Sequence, residues 1–154
     1  MRLSKNFWLS EMVKSDTAIR LGIDNTPSTE EVEALTALCH CCLQPTRDEH
    51  GVVSITSGFR SHALSEKVNS SVLSQHCKGE AADFECHSID NKELAIWITK
   101  SLPTWDQLIL EFYKEGDPDS GWIHVSYSRD GKNRKQIKHA VKDGKKTIYK
   151  EGLS

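Results

Sequence analysis

His76 and Asp83 stand seven positions apart in "SQHCKGEAADFE", residues 74–85, with a glycine and two alanines between them. An imidazole nitrogen and a carboxylate oxygen both suit a divalent cation, and a catalytic zinc takes three such protein ligands while leaving one position for water. Gly79, without a Cβ, lets the chain turn sharply enough for both side chains to aim at one point, and Ala81 and Ala82 keep the surroundings uncrowded. The third ligand must come from elsewhere. His124, in "GWIHVSY", is the best placed, because on an alternating strand it shares a face with Trp122 and Ser126 while Ile123, Val125 and Tyr127 point the other way. A histidine on the polar face of an otherwise buried strand needs a partner. His40, His50, His62, His87 and His139 lie in helical, turn or charged surface settings and lack one. Each part alone is weak, since buried histidines are more often hydrogen-bonded than metal-bound. The joint pattern, Ser-x-His-x-x-Gly-x-Ala-x-Asp followed about forty residues later by Trp-x-His, is specific.

The elements that must position these residues can be read from periodicity and punctuation. Ser28 and Glu31 form a capping box ahead of Val32, Leu35, Leu38, Cys39 and Cys42, which repeat at helical spacing, so a helix is predicted over 29–43 with Pro45 ending it. "VVSIT" reads as a short buried strand, "RSHALSEKVNSS" as a helical turn and "EAADFE" as a strand with Asp83 and Phe84 on opposite faces. "DNKELAIWITKSL" is a second amphipathic helix capped by Asp90 or Asn91. "DQLILEFY" and "WIHVSY" then flank a turn-rich loop as a hairpin, and a last hairpin at 135–150 has Asp143-Gly144 in a type I′ turn. Helices mixed with mainly hairpin-linked strands indicate an α+β fold with a mainly antiparallel sheet.

At 154 residues, 37% hydrophobic and 27% charged, the chain has the composition of one soluble globular domain and not of a disordered or fibrous protein. No stretch is apolar for long enough to span a membrane or act as a signal peptide, which points to synthesis in the cytoplasm and to no membrane partner. Five cysteines without a regular framework argue for free thiols, Cys39 and Cys42 among them as small core residues. The net charge of −2 is uneven: residues 131–154 hold eight Lys or Arg against two acids, leaving twelve cations and twenty acids before them. This basic C-terminal hairpin is compatible with an anionic polymer, but no aromatic-basic platform accompanies it, so no nucleic-acid partner is expected.

The stretches "SGFRSHALSEKVNSSVLSQHCKGEAADFE", "WDQLILEFY" and "GWIHVSY" resemble the zinc D-alanyl-D-alanine carboxypeptidases and related phage and bacterial peptidoglycan peptidases. These share a metal site with lysostaphin-type peptidases and the Hedgehog signalling domain. The start, "LSKNFWLSEMVKSDTAIRLGIDNTP", looks like the small phage-type branch, and the resemblance runs to about Arg134. It implies a single zinc peptidase domain over 1–154, one Zn2+ per chain held by His76, Asp83 and His124, and a peptidoglycan stem peptide as substrate. It further implies a monomeric lysin that reaches the wall after release from the host cell or is carried in a virion. Arg60, in "SGFRS", is similar to the arginine that steadies the substrate carbonyl or oxyanion, its alternative being a structural ion pair. Ser74 looks like a substrate-contacting serine, or else a loop hydroxyl capping local backbone. Trp122 is either a wall beside the zinc or core.

One departure stands out. Many relatives carry an acid three residues before the last histidine, where this chain has Gly121. A carboxylate is still needed to move the proton of the attacking water. Glu111 would share the polar face of its strand with His124 across the hairpin and is preferred; Asp119, five residues before His124 in a loop, is the second candidate. Gly121 equally favours a different class of protein, a noncatalytic metal-stabilised virion or binding module of the same fold.

Overall fold

Alternation along the central strands sorts their side chains onto two faces of one sheet, seen here in a computed structural model that describes residues 1–154. The strands are β3 (Ser54–Ser57), β4 (Ala81–Glu85), β5 (Gln107–Glu111), β6 (Trp122–Ser126), β7 (Gln136–Asp143) and β8 (Lys146–Glu151), in the order β3-β4-β6-β5-β7-β8. A separate small ribbon pairs β1 (Arg2–Ser4) with β2 (Phe7–Trp8). The helices are α1 (Leu9–Val13), α2 (Asp16–Leu21), α3 (Thr29–Leu38), α4 (Gln44–His50), α5 (His62–Lys67) and α6 (Asn91–Ser101). None is long and apolar enough to cross a membrane.

One face of the sheet is core. Phe84, Leu108, Leu110, Ile123 and Val125 pack in one cluster with Leu35 and Leu38 of α3 and Leu94 and Ile98 of α6, all at most 2% exposed. Each such side chain contributes about 1.5–3 kcal/mol on leaving water. The intervening residues Asp83, Ile109, Glu111, Trp122 and His124 therefore project from the opposite face. The period of two fixes the separation of core from chemistry.

The sheet is α+β and mainly antiparallel as expected, but β7 pairs with β5 in parallel. Antiparallel pairing leaves the end of β6 beside the start of β5, with Ser126 opposite Gln107's strand end. The chain then steps over that end to the free edge of β5 and must enter it running the same way. Asp106 anchors the step: its carboxylate accepts from Arg134 N at 3.0 Å, from Arg134 Nε and Nη2 at 2.9 Å each and from Gln75 Nε2 at 2.9 Å. The C-terminal hairpin is thus an extension of the main sheet.

Three local expectations are corrected. The first helix does not stop at Pro45 but passes through a π turn at Cys39–Leu43 into α4, where Gln44 N–H reaches back five residues to the Cys39 carbonyl. The inserted residue puts Pro45 in the first turn of α4, where a missing N–H breaks no ladder. Cys39 and Cys42 do fill the core, and burial pushes the Cys39 thiol up to about 12. Next, "VVSIT" is not a fully buried strand: β3 covers Ser54–Ser57, has β4 as its one neighbour, and Val52 before it is 68% exposed. Finally, the β7–β8 turn pairs Asp143 with Lys146, so Gly144 and Lys145 are central, and a positive φ at Gly144 alone (63°) fits type II′, not I′.

Candidate metal centre

The cluster begins with register. Asp83 on β4 lies directly opposite His124 on β6, which places the two Cβ atoms within about 5.5 Å. The Asp83 Oδ1 is 3.0 Å from His124 Nδ1. His76 arrives from the other side, on a short 3-10 turn over Gln75–Lys78 that Ser74 caps by accepting from His76 N–H at 3.2 Å. Gly79 ends that turn at φ 71°, and a Cβ there would meet the Glu31 carbonyl at 2.5 Å, so the chain can reverse into β4 only with glycine in place.

His76 Nδ1 sits 2.7 Å from the Gly58 carbonyl. A carbonyl only accepts, so Nδ1 carries the hydrogen and Nε2 offers its lone pair to the cluster, 3.4 Å from the same Asp83 Oδ1. The donor atoms of His76, Asp83 and His124 all lie within 4.8 Å of one another, and all three residues are largely buried. Tetrahedral zinc with bonds of about 2.0–2.1 Å separates its ligand atoms by roughly 3.3 Å. The 3.0 and 3.4 Å approaches therefore fit one divalent cation with little movement. The donor set is two nitrogens and one oxygen with a fixed tautomer on His76, and three protein ligands leave a tetrahedral cation one further position.

Electrostatics agree. Burial works against a charge on Asp83, but the hydrogen bond from His124 and the closeness of the two imidazoles outweigh it and hold the carboxyl well below the usual carboxylate range. Burial lowers the proton affinity of His76, against the pull of Asp83, which keeps the ring neutral as a ligand must be. Arg60 closes the far side: Nη2 is 3.5 Å from Asp83 Oδ2, Nε donates to Ser57 Oγ at 3.0 Å and Nη1 to Ser70 Oγ at 3.2 Å. Asp83 thus turns one oxygen to the histidines and the other to a guanidinium.

The cluster lies in a cleft of about 620 Å³ also lined by Ser74, Gln107, Ile109, Glu111, Trp122 and Arg60. Glu111 is half-buried there; burial and the Asp83 charge raise its pKa, while His124, Trp122 and Arg60 oppose the rise. The Trp122 indole N–H is buried without a hydrogen-bond partner, and its ring packs on Phe112 at 5.3 Å between centroids. Ser74 is both a turn cap and a cleft residue. Asp119 is exposed on the loop between β5 and β6, with its N–H bonded to Asp117, and does not line the cleft.

The same loop explains Gly121. Its φ is 68°, and a Cβ would lie 2.2 Å from the Glu111 carbonyl oxygen and 2.8 Å from Tyr113 N. The Asn91 side-chain amide pins this turn by donating to the Ser120 and Gly121 carbonyls at 3.0 and 3.1 Å. No acid fits here on this backbone. Gly121→Ala is expected to lose at least about 2 kcal/mol of stability, read as a lowered urea midpoint, from left-handed strain and overpacking together. An unchanged midpoint would show that the loop simply moves aside.

Lys138 and Tyr149, from β7 and β8, complete the cleft wall. They were not among the expected site residues, because their approach depends on the parallel β5–β7 pairing. Among known proteins, the family model described as Peptidase M15 matches residues 5–126. No curated protein matches the chain.

Proposed function

The chain belongs to the Peptidase M15 family, and from that premise we propose that it is a zinc-dependent peptidase that cuts bonds next to D-amino acids in bacterial peptidoglycan stem peptides, as a phage or prophage lysin. The observation that carries this reading is the convergence of His76, Asp83 and His124 on one point of a cleft that also holds a half-buried carboxylate, Glu111. The lysin assignment and the D-amino-acid substrate draw on the resemblance of the motifs and of the first 27 residues to the phage-type peptidoglycan peptidases.

His76 Nε2, His124 Nδ1 and an Asp83 oxygen would hold the zinc ion, which when bound would supply Lewis acidity toward water and the scissile carbonyl. Glu111 takes the proton of the attacking water and delivers it to the departing amine. Its raised proton affinity makes it a better proton acceptor than an ordinary carboxylate and keeps the proton on it until the departing amine can take it. Arg60 spends three of its five N–H groups on Ser57, Ser70 and Asp83, and the remaining two are available to the carbonyl oxygen as charge develops on it. Trp122 walls the reacting groups from bulk water, and Ser74 offers its hydroxyl to the peptide backbone.

The noncatalytic alternative rests on Gly121. Glu111, one strand away and inside the cleft, supplies the missing carboxylate, and close backbone approach accounts for the glycine. The test is mass spectrometry of purified cell-wall fragments after digestion. New termini beside D-amino acids are expected with zinc, none after chelation, and their return when zinc is restored. Full metal loading with no new terminus on any wall peptide would instead favour the noncatalytic module.

A further inference from the structure

Register carries the cleft across five strands. Asp83, His124, Ile109, Lys138 and Glu151 are paired in one row from β4 to β8, and Trp122, Glu111, Ala140 and Tyr149 form the next. Paired residues share a face, so Lys138 and Tyr149 stand on the side of the sheet that bears the ligands, and both line the cleft. Both also lie beyond residue 126, where the family match ends.

Apart from the histidines, two basic side chains line the cleft, Arg60 and Lys138. Arg60 is engaged by Asp83 and two serines. Lys138 is not so committed: its nearest carboxylate, Glu151, is 3.9 Å away and 79% exposed, an ion pair that solvent screens, while the Lys138 side chain itself is 25% exposed. Strands are spaced about 4.8 Å apart, so the Lys138 backbone stands roughly 10 Å from that of His124, about three residues of extended peptide. Tyr149, 52% exposed, lines the same end of the cleft and offers a phenol hydroxyl as a further donor.

We propose that Lys138, brought to the cleft by the β7–β8 hairpin, binds a carboxylate of the substrate within about three residues of the scissile bond, and so selects acidic or carboxyl-terminated peptides. This rests on the peptidase reading for the identity of the ligand as a peptide. Two sources share the chemistry: the C-terminal carboxylate and an acidic side chain within the stem peptide.

Calorimetric binding to Glu111→Gln protein, which leaves the peptide uncut, and KM on the otherwise native enzyme both report it. The peptides are one with both carboxylates free, two with either one amidated, and one with both amidated. Lys138→Met should weaken binding and raise KM about 10- to 100-fold for the fully free peptide, as expected for loss of one charge-assisted hydrogen bond, with kcat held. Amidation of one position should remove that penalty and thereby name the carboxylate. Lys138→Arg should restore most of the affinity, and Glu151→Gln, which breaks only the surface pair, should leave it intact. Equal penalties on the fully amidated peptide, no penalty on any peptide, or a Glu151→Gln effect as large as that of Lys138→Met would overturn the proposal. Wild-type enzyme that cuts no peptide at all would count against the peptidase reading, while binding to the uncut peptides would still decide the role of Lys138.

Discussion

Replacing Asp83 with alanine is expected to abolish wall-peptide hydrolysis and to strip the metal from the purified protein. Asp83 Oδ1 faces both histidines, at 3.0 and 3.4 Å, and removing it leaves two neutral nitrogens to hold a doubly charged ion. Changing a group that merely orients a ligand costs roughly 10- to 100-fold in metal affinity, so loss of the ligand itself should exceed that range. Arg60 would also lose its charge partner, and removing one member of a largely buried pair costs about 3–5 kcal/mol. The check is therefore double: metal content by plasma mass spectrometry, and far-ultraviolet circular dichroism to show that the core of Phe84, Ile123 and Leu108 persists. His76→Ala should reproduce the metal loss without the Arg60 penalty. A folded Asp83→Ala protein that kept its metal and its activity would remove Asp83 from the ligand set.

The second large effect separates chemistry from binding. Glu111→Gln preserves the size of a half-buried side chain and takes away its ability to hold a proton in transit. General acid–base groups contribute about 10²- to 10⁴-fold, so kcat should fall by that factor with metal content unchanged. Asp119→Asn, on the exposed loop, should change kcat by less than about twofold. The pairing of the two variants matters because both acids are near His124 in sequence and only one is near it in space. If Glu111→Gln turns over at the native rate, or Asp119→Asn is the one that fails, the proton carrier has been misassigned.

Much of the site is legible in the sequence. The period-two alternation of "EAADFE" and "WIHVSY" separates core from cleft without reference to tertiary structure, and it puts Asp83 and His124 on matching faces. Their direct pairing was not legible, because a two-residue slip keeps the same faces and the sequence does not show that these two strands are neighbours. The Ser28–Glu31 and Asp90 caps were legible, since capping is local chemistry. What escaped was non-local. The π turn before Pro45 depends on how one helix packs, not on the propensities of "CHCCL". The parallel entry of β7 follows from where β6 leaves the chain, anchored by Asp106 and Arg134, residues that no motif marks. Lys138 and Tyr149 were hidden for that reason. Gly121 read as a missing acid because its sequence neighbours say nothing of the Glu111 carbonyl pressed against it.

The claim on which all of this depends is that three side chains hold one catalytic cation. Crystals of the zinc-loaded protein, with anomalous diffraction collected on either side of the zinc absorption edge, test it most directly. One peak per chain is expected, about 2.0–2.2 Å from His76 Nε2, His124 Nδ1 and an Asp83 oxygen, with Glu111 facing the remaining position across a water. A peak elsewhere in the molecule, or none near these three residues in fully loaded protein, would contradict the account.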